Sequence, residues 1–280
     1  MAKTSIYKTA EGKKQVLSYY ETLLLQWYQP SILFTLETTF GETFIIESGR
    51  EDTPAILLLH GSGSNSAMWI ADVKELSETF HVFAIDIIGE CGKSSENRPA
   101  FKNDNYSNWI FEIIEKLALN RLSIIGCSLG GWIALDFSIK HPERIEKLVL
   151  MATAGITQVK LKTIFWIIIT SMMGSWGFNK LNKMVYGNLS IDNKTLEFAS
   201  LVKMNYKPRT DVLPVLTNET LQNIKASTLY IGGENDCFYN SQKTASRLKD
   251  NMNNIKCFIL KDTGHVLTNQ TKNILQFLNT

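Results

Sequence analysis

Residues 124–131 read Ile-Ile-Gly-Cys-Ser-Leu-Gly-Gly, an apolar strand end that runs into the pattern Gly-x-Ser-x-Gly and then into a helix-like stretch. A serine in this pattern stands on a sharp strand-to-helix turn with a strained backbone. Gly126 and Gly130 lie two residues either side of Ser128, which lets the strand and the helix approach closely. Ser128 is therefore predicted to be an exposed nucleophile. A free serine hydroxyl is a weak nucleophile, so the chain must also supply a base and an acid.

Short apolar runs rich in β-branched residues alternate with longer amphipathic stretches along most of the chain. Eight strands are predicted, at Ile32–Thr38, Thr43–Glu47, Ala55–Leu59, Val82–Asp86, Leu122–Gly126, Lys147–Met151, Thr228–Gly232 and Lys256–Lys261. Helices are predicted near Met68–Glu78, Asn105–Leu117, Leu129–Lys140, Asn240–Lys249 and Asn269–Leu278. This alternation predicts an α/β fold, with a mostly parallel eight-stranded sheet flanked by helices on both faces. Ligands of such sheets bind beyond the carboxyl ends of the strands.

One stretch interrupts the alternation. Between Met151 and Thr228 no strand is predicted, and Trp, Phe, Met and Ile are mixed with Lys and Asn. Residues 157–222 are therefore predicted to form a helical lid inserted after the sixth strand. The core domain would comprise residues 1–156 and 223–280.

Composition excludes several classes of function. The chain has 280 residues, a net charge of +2 and no Lys/Arg cluster, so no nucleic-acid partner is expected. Its most apolar run, Ile164–Met173, is about half the roughly 20 residues that a membrane helix needs, so no membrane anchor is expected. The N-terminus lacks a signal-peptide pattern and the four cysteines lack metal-ligand spacing, which predicts a cytoplasmic protein without metal or other cofactor. We expect a monomer or a homodimer.

The base and the acid are sought at the carboxyl edge of the sheet. His265 follows the last predicted strand, where its imidazole could reach Ser128, and it is the predicted general base. The acid should hydrogen-bond the far nitrogen of that ring. Asp236 lies deepest in the loop after the seventh strand and is the preferred acid, with Glu234 as the alternative. His60 ends the third strand and receives no catalytic role.

The oxyanion of an acyl-transfer intermediate needs two hydrogen-bond donors. One is predicted to be the backbone N–H of Leu129, directly after the nucleophile. The other is predicted to be the N–H of Ser62, since Gly61 and Gly63 allow that loop to turn an amide inward. Cys127 adjoins Ser128, but the glycine spacing fails when it is centred on the cysteine, so we interpret it as a small buried residue.

The chain resembles the α/β-hydrolase superfamily over nearly its whole length. The resemblance is carried by five strings, Leu59-His60-Gly61-Ser62-Gly63, Ala84-Ile85-Asp86-Ile87-Ile88-Gly89-Glu90, Gly126-Cys127-Ser128-Leu129-Gly130-Gly131, His141-Pro142-Glu143-Arg144 and Thr263-Gly264-His265-Val266. The string Asp86–Gly89 and the segment around Trp27 resemble bacterial carboxylesterases that hydrolyse bulky aryl-propionate esters. The loop Gly89-Glu90-Cys91-Gly92 departs from the commoner Pro-Gly-His-Gly pattern, so no pocket contact can be carried over to it.

The resemblance implies a serine hydrolase that cleaves a small hydrophobic carboxylic ester through an acyl-enzyme on Ser128. Substrate contact is expected from apolar lid residues, namely Phe165, Trp166, Met172, Met173, Trp176 and Phe178. Two alternatives use the same triad: a carbon–carbon bond (diketone) hydrolase and a lactonase. An alternative of another class is a small-molecule receptor that keeps the triad but turns over slowly.

Overall fold

A single eight-stranded sheet organises the chain in a computed structural model, which describes residues 5–171, 173–189 and 191–280. The strands are β1 (Ser31–Thr38), β2 (Gly41–Ser48), β3 (Ala55–Leu59), β4 (His81–Ile85), β5 (Leu122–Cys127), β6 (Ile145–Met151), β7 (Ser227–Gly233) and β8 (Ile255–Leu260). Their order across the sheet is β1-β2-β4-β3-β5-β6-β7-β8. Each predicted strand is found, with bounds that differ by no more than two residues.

The sheet is mostly parallel, as predicted. Strands β3 to β8 pair in parallel, whereas β2 is antiparallel to both β1 and β4. The β1–β2 hairpin turns at Thr39 and Phe40, because Gly41 already belongs to β2. The carboxyl ends of β5, β7 and β8 consequently share one edge of the sheet, and the loops that leave them lie close together.

Ten α-helices are formed by the described residues: α1 (Ala10–Leu24), α2 (Ile70–Ser77), α3 (Asn105–Lys116), α4 (Leu129–Lys140), α5 (Leu161–Ser171), α6 (Gly174–Tyr186), α7 (Asn193–Asn205), α8 (Asn218–Gln222), α9 (Ser241–Asn251) and α10 (Thr271–Leu278). Helix α4 has the predicted bounds. Helix α2 begins later than predicted because a 3₁₀ turn occupies Ser66–Trp69. Helix α1 was not predicted; the side chain of Thr9 caps it by accepting a hydrogen bond from the Gly12 N–H.

Helices cover both faces of the sheet, and each face has its own apolar core. In β3, Leu57 and Leu59 face one core, whereas Ile56 and Leu58 face the other, and all four are fully buried. The first core is closed by α3, α4, α8 and α9, and the second by α1, α2 and α10. Burial on both faces explains why the inner parallel strands β3, β4, β5 and β7 read as continuous apolar runs.

Four helices, α5 to α8, lie between β6 and β7. The end of this insertion is tied to the N-terminal segment by an antiparallel bridge between Tyr7 and Tyr206. Within the described residues, no helix combines the length and apolar character needed to cross a membrane.

Candidate active site

Ser128 connects β5 to α4 in a strained conformation. Its φ is +50° and its ψ is −107°, a combination that side chains with a Cβ rarely adopt. The Ser128 N–H donates to the carbonyl oxygen of Met151 at 2.9 Å, and the Ser128 carbonyl accepts from the Ala154 N–H at 3.2 Å. Contacts with the end of β6 therefore hold the turn, and its side chain remains partly exposed.

Two glycines make this turn possible, because the backbone segments around it approach too closely to leave room for a side chain. A Cβ placed on Gly126 would lie 2.5 Å from the carbonyl oxygen of Gly130. A Cβ placed on Gly130 would lie 2.2 Å from the carbonyl oxygen of Leu59. Neither separation is sterically tolerable, so the spacing in Gly-x-Ser-x-Gly follows from how closely β3, β5 and α4 approach one another.

The structure brings Asp236 and His265 together. His265 Nδ1 lies 2.8 Å from Asp236 Oδ2, and Asp236 is 1% exposed. The other carboxylate oxygen, Oδ1, accepts the N–H groups of Phe238 at 2.7 Å and Tyr239 at 3.1 Å. Since the carboxylate can only accept, Nδ1 carries the proton and Nε2 is left free to take one.

Glu234, the alternative acid, forms no hydrogen bond or ion pair with His265, whose ring is paired with Asp236. Its side chain is exposed, and Oε2 accepts the N–H of Asp262 at 3.1 Å. The geometry therefore pairs Asp236, and not Glu234, with His265.

Backbone hydrogen bonds fix the two loops that carry this pair. The Asn235 N–H donates to the Thr263 carbonyl at 2.8 Å, which joins the loop after β7 to the loop after β8. The His265 N–H donates to the carbonyl of Val185, in α6, at 3.0 Å. The Lys160 ammonium donates to the Asp236 carbonyl at 2.5 Å. The segment between β6 and β7 thus contacts the backbone of both members of the pair.

The ring of His265 is also held by an aromatic contact. Phe238 packs edge-to-face against it, with 4.6 Å between the ring centroids. Among the described residues, the Ser128 hydroxyl forms no hydrogen bond, and the ring bond of His265 is the one to Asp236. Catalytic hydrogen bonds are often long before substrate binds, so the absence of a bond between Ser128 and His265 is compatible with a proton transfer in the substrate complex.

The loop after β3 approaches the nucleophile. A Cβ placed on Gly61 would lie 3.6 Å from the Cβ of Ser128, and the Gly130 N–H donates to the His60 carbonyl at 3.1 Å. Among the described residues, the N–H groups of Ser62 and Leu129 find no acceptor. Two unpaired amides next to a partly exposed serine are what an oxyanion hole requires.

His60 stabilises this loop from inside the core. The ring is fully buried, its Nε2 accepts the Ile87 N–H at 2.9 Å, and its Nδ1 lies 2.7 Å from the Gly61 carbonyl. An N–H can only donate, so Nε2 is unprotonated and Nδ1 carries the proton. Burial lowers the pKa of His60, so the folded protein keeps the ring neutral.

This histidine predicts an acid-sensitive stability. In the unfolded chain His60 has the ordinary histidine pKa of about 6.5, so below that pH it binds a proton that the folded protein excludes. His60 therefore lowers the free energy of unfolding by up to about 1.4 kcal/mol for each pH unit of acidification. Urea unfolding between pH 7.5 and 5.5 measures the slope. His60→Gln, whose amide keeps a donor and an acceptor, should show a shallower slope than the unmodified protein; equal slopes would contradict the assignment.

Cys127 is a poor competitor for the nucleophilic role. It is buried, and burial together with the nearby charge of Asp236 raises the pKa of its thiol to about 12. The reactive form of cysteine is the thiolate, which is scarce at neutral pH under these conditions.

The predicted substrate residues lie on the inserted helices, with Met172 outside the described residues. Phe165, Met173 and Trp176 are exposed, whereas Trp166 and Phe178 are half-buried. A lysine ammonium lies over each half-buried ring. Lys180 Nζ is 5.6 Å from the ring centroid of Trp166, and Lys203 Nζ is 4.7 Å from that of Phe178. These contacts join inserted helices to one another, not to Ser128 or His265.

Sequence reasoning missed the residues that support the pair and the loop. Phe238, Lys160 and Val185 act by contacts that no local pattern reveals. Glu90, which accepts hydrogen bonds from the Ser62 hydroxyl and the Gly63 N–H, is different, because it follows β4 at the carboxyl edge of the sheet, where functional residues are expected. Its position was a usable signal, but the bonds it forms could not be foreseen.

Comparison with known proteins places this arrangement in context. The family model described as the alpha/beta hydrolase fold matches residues 54–189. The carboxylesterase YbfK of Bacillus subtilis is 28% identical over 94% of this chain and 91% of its own length. An uncharacterised carboxylesterase, nap, from the same organism is 26% identical over 96% of this chain and 93% of its own.

Solved structures agree with the sequence comparison. The crystal structure of carboxylesterase CesB (YbfK) from Bacillus subtilis superimposes with a TM-score of 0.86 and 26% identity. The superposition covers 96% of this chain and 98% of that one. The likeness therefore extends over the sheet and the inserted helices together.

Proposed function

The chain is an α/β-hydrolase related to bacterial carboxylesterases, and on that premise we propose that it hydrolyses carboxylic esters through an acyl-enzyme on Ser128. One observation carries the proposal: the hydrogen bond between Asp236 and His265, at the same edge of the sheet as the strained Ser128 turn. The chain order of serine, acid and histidine is the one that α/β-hydrolases use.

Acylation starts with the attack of Ser128 Oγ on the ester carbonyl. The Ser128 proton moves to His265 Nε2, and Asp236 stabilises the imidazolium that forms. The carbonyl oxygen becomes an oxyanion that accepts hydrogen bonds from the Ser62 and Leu129 amides. The imidazolium then protonates the leaving alkoxide as the carbon–oxygen bond breaks, so an alcohol departs and the acyl group stays on Ser128.

Deacylation repeats these steps with water. His265 Nε2 takes a proton from the water as its oxygen attacks the acyl carbonyl, and the same two amides hold the second oxyanion. Collapse expels Ser128 Oγ, which regains its proton from His265. The products are a carboxylic acid and the regenerated serine.

Residues 157–222 serve as the lid in this proposal, with residues 1–156 and 223–280 as the core domain. The contacts of Lys160, directly before α5, and Val185, in α6, with the Asp236 and His265 backbones support a position of this segment over the site. The exposed apolar side chains Phe165, Met173 and Trp176 would contact a hydrophobic acyl or alcohol group.

A graded series of p-nitrophenyl esters tests the reaction. We expect sustained multiple turnover, with kcat/KM rising as the acyl chain lengthens. A single burst of one nitrophenol per chain without turnover would identify a receptor instead. Carbon–carbon bond cleavage is not favoured by the comparisons, since the relatives that align over nearly the whole chain are carboxylesterases by name.

Truncation of a lid aromatic tests the substrate contact. Trp176→Ala should raise KM for a long-chain ester by about tenfold, since burying a large apolar side chain contributes roughly 1.5–3 kcal/mol, and should leave the acetate almost unchanged. Leu25→Ala is the matched control, because Leu25 is 86% exposed at the end of α1. Equal effects of both substitutions on the long-chain ester would contradict the contact.

We also propose a cytoplasmic location. All four cysteines are free, and Cys91 and Cys127 are buried. This state is typical of a reducing compartment.

A further inference from the structure

Glu90 is a buried carboxylate that the mechanism above does not use. It follows β4 and is 2% exposed. Charged groups are rarely buried this deeply without partners, because removal from water is costly. Its partners therefore indicate what the carboxylate does.

Three donors converge on one oxygen of Glu90. Oε2 accepts the Gly63 N–H at 2.6 Å, the Tyr206 hydroxyl at 2.8 Å and the Ser62 hydroxyl at 3.2 Å. The bond to Gly63 is short, as expected for an N–H that donates to a charged acceptor. Two of the three donors belong to the loop that presents the Ser62 amide to Ser128.

This loop has few other means of support at its tip. Gly63 has a φ of +67°, and a Cβ placed on it would find no atom within 4 Å. No described residue therefore packs against the outer side of Gly63, and its hydrogen bond to Glu90 holds it. Removing the carboxylate would leave its donors without an acceptor and allow the adjoining Ser62 amide to change direction.

The third donor connects the same carboxylate to the inserted helices. Tyr206 directly follows α7 and is 2% exposed, and Arg98 stacks over its ring with 5.1 Å from Cζ to the centroid. Burial and the charge of Glu90 raise the pKa of Tyr206, so the phenol remains a neutral donor. Glu90 thus joins the oxyanion loop to the end of the insertion.

We propose that Glu90 is a positioning residue that fixes the Ser62 amide toward the oxyanion and couples this amide to the seating of the inserted helices. The inference rests on the proposed function, since it assigns the role of an oxyanion donor to Ser62. Glu90 does not touch the substrate; it acts through the loop.

Kinetics of Glu90→Leu test the proposal. We expect kcat per active site to fall by about 100-fold with KM nearly unchanged, because a misplacement of about 1 Å costs a factor of this size. Affinity for a trifluoromethyl ketone should fall in parallel, since Ser128 Oγ adds to its carbonyl to form the same oxyanion. Glu90→Gln keeps an acceptor oxygen and should lose less than about tenfold. The acid limb of the pH profile should not move, because Asp236 and His265 are untouched.

Active-site titration separates positioning from a general loss of folded protein. If Glu90 only stabilised the fold, Glu90→Leu would lower the fraction of protein with a titratable active site but would leave kcat per titrated site unchanged. Glu96→Gln is the matched control, because Glu96 also accepts a backbone N–H and a hydroxyl, from Ile6 and Ser5, away from the loop. Wild-type kcat per site in Glu90→Leu, or equal losses in Glu90→Gln and Glu90→Leu, would overturn the proposal.

Hydrogen exchange of residues 60–66 gives a readout that needs no activity. Exchange should be faster in Glu90→Leu than in the unmodified protein, and unchanged in Glu96→Gln. If Glu90→Leu does not fold, Tyr206→Phe should still speed exchange and lower kcat several-fold; no change in either would overturn the proposal. If the unmodified protein cleaves no ester, the proposed function fails, whereas the exchange comparison still decides whether Glu90 holds the loop.

Discussion

Replacing Ser128 by alanine is expected to lower kcat for a p-nitrophenyl ester by roughly five to six orders of magnitude. Loss of the nucleophile in a comparable triad costs about 10⁶, and the residual rate comes from the oxyanion hole and substrate binding. Steady-state kinetics at high enzyme concentration measure the loss. Substrate affinity should be retained, because Ser128→Ala removes only the hydroxyl.

Two controls make this prediction specific. Cys127→Ala should keep activity close to that of the unmodified protein, since the thiol is buried and protonated. The melting temperature of Ser128→Ala should stay close to the original, because the hydroxyl forms no hydrogen bond with any described residue. A Ser128→Ala variant that retains a tenth of the activity would contradict the assignment.

Replacing Asp236 by asparagine is expected to lower kcat by about 10⁴ without unfolding the loop. The amide oxygen can still accept the N–H groups of Phe238 and Tyr239, so the backbone geometry persists. The NH₂ group that faces His265 Nδ1 cannot accept its proton. The ring would then carry its proton on Nε2, where it cannot take one from Ser128.

Glu234→Gln is the matched control for that substitution. Glu234 is exposed, and from the described residues it accepts the Asp262 N–H alone, a bond that glutamine can keep. The kcat of Glu234→Gln should stay within about twofold of that of the unmodified protein, because a surface substitution changes free energies by about 0.5 kcal/mol or less. If Glu234→Gln were the damaging substitution and Asp236→Asn the mild one, the two acids would exchange roles.

The fold was largely predictable because its signals are local. The apolar runs of β3, β4, β5 and β7 are buried on both faces, so their composition alone marks them as strands. The crowding that requires glycine at positions 126 and 130 is likewise visible in a pattern of five consecutive residues. Helix α1 was missed because its sequence is mostly polar and its stability depends on the cap at Thr9 and on packing of residues such as Tyr20.

The site was predictable where it follows strand ends and unpredictable where distant segments meet. Asp236 and His265 follow β7 and β8, and parallel pairing of these strands brings them together. The bond from Glu90 to Tyr206 joins residues 116 positions apart, and no periodicity encodes it. The contacts of the inserted helices with the Asp236 and His265 loops also join residues far apart in the sequence, so no local pattern predicts them.

The central claim is that Ser128 is the nucleophile, and covalent labelling tests it most directly. Purified protein is treated with a fluorophosphonate probe, digested and mapped by mass spectrometry. The account predicts one probe per chain, on Ser128, with labelling abolished in Ser128→Ala. Labelling on another residue, or labelling that survives in Ser128→Ala, would contradict it.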